Sequence, residues 1–168
     1  AKPVGMLDHL QFGNPKDPEI FWTFLESLKG LTDFAKDFEI PCIGGKVSLY
    51  NETPKGSIKP TPVIGVIGLI DKKPLRTQKI NSGDCLIMIG NTKDELGGSE
   101  YSEYIHKFIG GKCPTVDFSE SKKNMNAVLE IIENELIKSA HDCSKGGLAV
   151  AVSELCMTNL IGCTVSLE

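Results

Sequence analysis

Gly44, Gly45, Lys46 and Ser48 lie within one short stretch and have the chemistry to meet an anion. Adjacent glycines let a ligand approach the backbone, because no Cβ stands in the way. Lys46 and Ser48 are two apart, so on a strand they share a face and offer an ammonium and a hydroxyl. These are the parts of a phosphate-binding site. The same letters also make a tight turn before a strand, and the Walker order of Gly-Lys-Ser/Thr leading into a helix is absent. Asp8 is a second candidate, a carboxylate where a strand gives way to a turn; it is either a functional acceptor or an ordinary turn former. His141-Asp142 is a third, placed before Ser144-Lys145-Gly146-Gly147. A histidine beside a carboxylate suggests acid–base work, and the helix start after the glycines suggests an anion. Neighbours on an extended segment point to opposite faces, however, and packing equally explains the glycines. No Ser-His-Asp ordering, catalytic carboxylate pair or Cys-His couple stands out, so no catalytic residue is assigned.

Alternating helices and apolar strands must position these groups, which gives an α/β (α+β) class. Pro3 to Leu10 reads as a strand, and Phe12-Gly13-Asn14-Pro15 as a turn. Asp17-Pro18-Glu19 opens a helix that runs to about Phe38: Asp17 caps, Pro18 suits the first helical position and Glu19 favours the positive end. Phe21, Phe24, Leu25, Leu28, Leu31, Phe34, Ala35 and Phe38 recur at helical spacing and are expected to form its buried face. The candidate stretch follows as a strand entered through a Gly-Gly turn. Glu52 to Lys59 reads as a mobile loop and Thr61 to Asp71 as a buried strand. A domain boundary is expected at about residue 72, giving domains 1–72 and 73–168. Beyond it, Cys85 to Ile89 reads as a buried strand, and Glu100 to about Phe108 as a helix capped by Ser99. A helix opened by Ser119 or Ser121 runs to about Lys138, another spans about Leu148 to Thr158, and Ile161 to Leu167 reads as a final strand.

Composition narrows the function. Hydrophobic content of 40% with 24% charged residues predicts a packed core. A net charge of -4 argues against a nucleic-acid footprint, which needs a basic stripe, but leaves room for a small nucleotide. No apolar run reaches the length of a membrane span. The six cysteines, Cys42, Cys85, Cys113, Cys143, Cys156 and Cys163, form no Cys-x-x-Cys pair and lie in or beside apolar runs, so buried reduced thiols are expected. His9, His106 and His141 show no zinc spacing with them. Neither end carries a polar tail, and a piece of a longer polypeptide is expected.

Several segments together resemble a known family. Asp8-His9-Leu10-Gln11-Phe12-Gly13-Asn14-Pro15, Gly44-Gly45-Lys46-Val47-Ser48-Leu49-Tyr50-Asn51-Glu52 and Pro60-Thr61-Pro62-Val63 are similar to the synthetase subunit of phosphoribosylformylglycinamidine synthases, also called formylglycinamide ribonucleotide amidotransferases. Glu95 to Tyr101 and Ala140 to Ala149 extend the match in the same order. That subunit resembles two fused copies of the aminoimidazole ribonucleotide synthetase fold. The resemblance places this chain in the second copy: the end of its ATP-binding domain, then the first part of its C-terminal α/β domain. It implies ATP and Mg2+ as cofactors, formylglycinamide ribonucleotide as substrate, a glutaminase subunit and a small accessory subunit as partners, and a cytoplasmic setting in purine synthesis. ATP would activate the formamide oxygen as an iminophosphate, which glutamine-derived ammonia attacks. By the same resemblance Asp8 matches a nucleotide-binding aspartate, Gly45 a glycine meeting ATP and Ser48 a substrate-contacting serine. Lys46 stands where many members have a magnesium-ligating Asn, and a protonated Lys has no lone pair to ligate with. The family's catalytic histidine belongs to the other copy, so this chain by itself is expected not to turn over. Relatives such as thiamine-monophosphate kinases, selenophosphate synthetases and hydrogenase-maturation proteins share the architecture, and a non-catalytic nucleotide-binding scaffold is the other reading. Self-association through the sheet is a further expectation, since the superfamily pairs such domains.

Overall fold

The computed structural model describes residues 1–71 and 79–166. The chain divides into two compact units, Ala1–Lys73 and Pro74–Glu168. The expected boundary at about residue 72 lies outside the described residues.

The first unit is a mixed sheet with one long helix. Strand β1 spans Lys2–Gln11, helix α1 Pro18–Asp37, β2 Cys42–Ser48, β3 Glu52–Thr53, β4 Gly56–Ser57 and β5 Thr61–Leu69. The larger sheet has the order β2-β1-β5, with β2 parallel to β1 and β5 antiparallel to it. A parallel neighbour needs a crossover, and α1 supplies it. The helix starts as its sequence predicts: the Asp17 carboxylate accepts from the Glu19 N–H at 2.9 Å and the Ile20 N–H at 3.4 Å, with Pro18 in the first turn. It ends where Glu39 takes a positive φ of 54°, and Pro41 cannot continue it.

Alternation along β1 points Met6, Asp8 and Leu10 to the side covered by α1, and Leu7, His9 and Gln11 to the other. Met6, Leu10, Phe12 and Ile40 make the core of this unit. Phe12 meets Phe24 of the helix edge to face, with ring centroids 5.2 Å apart. Burying each such side chain contributes about 1.5–3 kcal/mol.

Several burial expectations fail here for one reason: a single helix covers a three-stranded sheet incompletely. A cavity of about 470 Å³ opens between Leu10, Pro62, Ile64 and Val66 on the sheet and Leu31 and Phe34 on α1. No residue of α1 is fully buried, and Phe21 and Leu25 are exposed. Thr61–Leu69 forms the predicted strand, but every residue in it is exposed rather than buried. Two local expectations also change. Glu52 to Lys59 contains a small hairpin, β3 against β4, in place of a structureless loop. Gly44 and Gly45 lie inside β2 with no positive φ, so they are strand residues and not a turn.

The second unit carries helices α2 (Glu100–His106), α3 (Phe118–Glu133) and α4 (Gly147–Asn159). Ser99 caps α2 as predicted, accepting from the Ser102 N–H. That helix stops at Lys107, held at φ 55°, before the expected Phe108. The cap of α3 is Asp117, not Ser119 or Ser121: its carboxylate accepts from the Glu120 N–H at 3.0 Å. Asp117-x-x-Glu120 is the capping pattern in the sequence that marks this start. The helix ends at Glu133, five residues before the expected Lys138, and Glu135 takes φ 57°.

Cys85 to Ile89, expected as a buried strand, is neither a strand nor buried, with Ile87 79% exposed, and Ile161 to Leu167, expected as a final strand, forms none over its described residues 161–166. An apolar run becomes a strand only when another backbone pairs with it, and no described segment of this unit does so. Five of the six cysteines are exposed and Cys156 is half-buried, against the expected burial.

Among the ion pairs of this unit, one joins two loop segments and another joins a loop to α3. Lys138 sits on the Asp84 carboxylate and Lys93 on Glu120 at 2.8 Å. The Lys138 ammonium holds the Asp84 carboxyl below its ordinary 3.8, and Lys93 with Asn91 holds Glu120 below its ordinary 4.5. A carboxyl depressed on folding stabilises above its ordinary value, and this is lost as pH falls through the depressed one. Amide exchange at the start of α3 should therefore quicken as pH falls below 4.5, after correction for intrinsic exchange. Lys93→Met should shrink the change to the share that Asn91 supplies; the same pH profile in that variant would disprove the assignment.

Candidate functional site

The site is built on the parallel pair β1 and β2, in which Asp8 stands beside Gly45, His9 beside Lys46 and Gln11 beside Ser48. Asp8 and Gly45 are brought into direct contact. A Cβ at position 45 would lie 2.6 Å from Asp8 Cγ and 2.7 Å from the Asp8 backbone oxygen. The missing side chain is thus the space that the Asp8 carboxylate occupies. The Cys42 thiol donates to the same carboxylate, at 3.3 Å from Asp8 Oδ1. Gly44 does similar work for Leu7, whose Cδ2 would be 3.3 Å from a Cβ there.

Lys46 and Ser48 are not brought to that carboxylate. Strand alternation places them with Leu7 and His9 on the opposite face of the sheet. Lys46 is exposed. Ser48, half-buried, ends β2 and is held by Asn51. The Asn51 amide nitrogen donates to the Phe12 carbonyl at 3.0 Å and the Ser48 carbonyl at 2.9 Å. The Asn51 backbone N–H also reaches the Phe12 carbonyl, and the Phe12 N–H donates to the Ser48 carbonyl. The end of β2 is therefore stitched to the turn after β1. Among the described strands β2 stands at the edge of the sheet.

Family models match the chain in two parts: "AIR synthase related protein, N-terminal domain" over residues 1–70 and "AIR synthase related protein, C-terminal domain" over residues 81–168. The chain belongs to the AIR synthase related family. Its relatives include proteins called phosphoribosylformylglycinamidine synthase subunit PurL. That of Methanocaldococcus jannaschii is 47% identical over 175 residues, covering 99% of this chain and 24% of that protein. That of Methanococcus aeolicus is 46% identical over 99% of this chain and 23% of the relative, and that of Alkaliphilus metalliredigens 43% over 100% and 23%. The chain spans about a quarter of the length of the curated relatives it matches.

The AIR synthase related C-terminal part holds the third candidate. His141 is nearly buried; its Nε2 is 2.9 Å from Glu154 on α4 and its Nδ1 3.6 Å from Asp142. The sequence pairing of His141 with Asp142 is thus the longer contact, and Glu154, thirteen residues on, is the closer partner. This clasp holds the segment before the α4 amino end against the helix. Gly146, at φ 90°, caps that end without a side chain, because its Cβ would fall among the Val150 side-chain atoms.

Among the described residues no group of three or more His, Cys, Asp or Glu could hold a metal ion. Lys46 cannot supply a ligand while protonated. The described residues thus bring together no complete set of protein ligands for an ion. No described helix is long and apolar enough to cross a membrane.

Proposed function

We propose that this chain is part of a phosphoribosylformylglycinamidine synthase, the ligase that amidates formylglycinamide ribonucleotide in cytoplasmic purine synthesis. The observation that carries this is 47% identity along 99% of the chain to a PurL subunit, together with both AIR synthase related parts in order. Residues 1–72 are the end of the ATP-binding domain and 73–168 the opening of the C-terminal one. A glutaminase subunit supplies ammonia, a small accessory subunit completes the assembly, and the catalytic groups lie elsewhere in the full protein.

The residues of β1 and β2 fit a nucleotide in a divided way. Asp8 is an acceptor-only group and takes N–H or O–H donors of the nucleoside. Gly45, with no side chain, keeps that carboxylate against the strand. Lys46 supplies a positive charge on the other face for phosphate oxygens, and Ser48 meets the ribonucleotide. ATP turns the formamide oxygen into a leaving group; ammonia then forms the new C–N bond as the C–O bond to phosphate breaks. These residues bind and orient, and none exchanges a proton in that step. Stabilising the charge that develops on the phosphate is the main electrostatic demand.

The full-length protein, given formylglycinamide ribonucleotide, ATP, magnesium and ammonia, should form the amidine with one ATP consumed per product. ATP binding without product would overturn the reading. Lys46→Asn in that protein should make ATP affinity depend more steeply on magnesium, because the fixed charge is gone. Unchanged affinity and magnesium dependence would remove Lys46 from the site.

A further inference from the structure

The Asn51 amide sits where its orientation can be settled from its neighbours. Its nitrogen faces two backbone carbonyls, Phe12 O at 3.0 Å and Ser48 O at 2.9 Å. Carbonyls only accept, so the NH₂ end must be the one that faces them, and its two hydrogens are committed there. The other end, Oδ1, can only accept. Its partner is the Ser48 hydroxyl at 3.2 Å. The amide nitrogen also comes within 3.1 Å of Ser48 Oγ, but it has no third hydrogen to give. Ser48 therefore spends its single proton on Asn51 and keeps its lone pairs for another molecule.

We propose that Asn51 is a positioning residue for Ser48, fixing that hydroxyl as a hydrogen-bond acceptor for a donor group on the ribonucleotide. The proposal rests on the contact between Ser48 and that substrate put forward above. It also narrows the contact. A hydroxyl whose proton is taken meets an amide N–H or a ribose O–H, and is poorly suited to a phosphate oxygen, which has no proton to give. The hydroxyl's share in holding phosphate, one reading of the Gly44 to Ser48 stretch, passes to the exposed Lys46. Phe12 gains a second role: its carbonyl, on a residue with 0% exposure, is the fixed point against which the Asn51 amide is aligned.

A double-mutant cycle in the full-length synthetase tests this, reading KM separately for the ribonucleotide and for ATP. Ser48→Ala and Asn51→Ala should each raise the ribonucleotide KM about tenfold, the size of one hydrogen bond, and leave the ATP KM near its original value. The double variant should be no worse than either single one, because Asn51 acts through Ser48. Losses that multiply, or a rise in both KM values from Asn51→Ala, would overturn the positioning role while leaving Ser48 in the site. A Ser48→Ala enzyme with unchanged ribonucleotide KM would overturn the Ser48 contact and this proposal with it. If Asn51→Ala does not fold, Asn51→Ser, which can still donate to one carbonyl, is read through the same cycle.

Discussion

Gly45→Ala should weaken ATP binding by the full-length protein about tenfold or more and loosen the pairing of β1 with β2. The added methyl would stand 2.6 Å from Asp8 Cγ and 2.7 Å from the Asp8 carbonyl oxygen. A carboxylate can swing aside, but a backbone carbonyl moves only with its strand. Overpacking of this kind costs about 1–3 kcal/mol, and a displacement worth about 1.4 kcal/mol is already tenfold in affinity. Calorimetry with ATP reads the first effect, and amide exchange along β1 and β2 reads the second. Adding Asp8→Ala should recover part of the lost protection, because it removes the side-chain clash, but none of the backbone one. It should recover no ATP affinity, since the proposed acceptor is gone. Wild-type affinity and exchange in Gly45→Ala would sink the idea that the glycine is there to house the carboxylate.

The largest stability loss is expected from Phe12→Ala. Phe12 is fully enclosed, and among the described residues only Met6, Leu10 and Ile40 share the hydrophobic core of this unit. Deleting a buried Phe costs about 3–5 kcal/mol, of the same order as the whole stability of many small domains. Little else could compensate, because α1 already stands off β5 across a cavity of about 470 Å³. The edge contact with Phe24 would be lost, and with it the main aromatic anchor of the helix on the sheet. Thermal unfolding of the full-length protein, followed by amide exchange in α1, measures this. Phe12→Leu should fall between wild type and Phe12→Ala. Protection of α1 that survives Phe12→Ala would show that the helix is held by something other than this ring.

Local elements were readable where their signals are local. Asp17 and Pro18 announced α1, and Ser99 announced α2, because a cap is made with N–H groups two or three residues away. Asp117 carried the same signal for α3 through Glu120. Burial was less readable. The stripe on α1 and the apolar runs at Thr61, Cys85 and Ile161 state what each segment can bury, but burial needs a partner surface. Where none of the described residues provides one, the apolar side chains are exposed, as Ile87 and Leu69 are. The site divided in the same way. Gly45 and Asp8 were both picked out, yet nothing in their letters says that one fills the space left by the other. Glu154 carries no sequence signal as a partner of His141, because the two are on different segments.

What the sequence alone determined is the set of parts and its family. The helices, the longer strands of the first unit, the caps, the ordered motifs from Asp8 to Ala149 and the lack of a ligand at Lys46 all follow from residue type and spacing. The tertiary structure decided how those parts face one another. Parallel pairing of β1 with β2 laid the Asp8 carboxylate over Gly45 and sent Lys46 and Ser48 to the other face. The fold of the segment after β2 turned Asn51 onto Phe12 and Ser48 and so settled which way one hydroxyl points. The physical reason is that a side chain's type is a local property, whereas its direction and its neighbour are set by strand register and backbone hydrogen bonds between segments more than thirty residues apart.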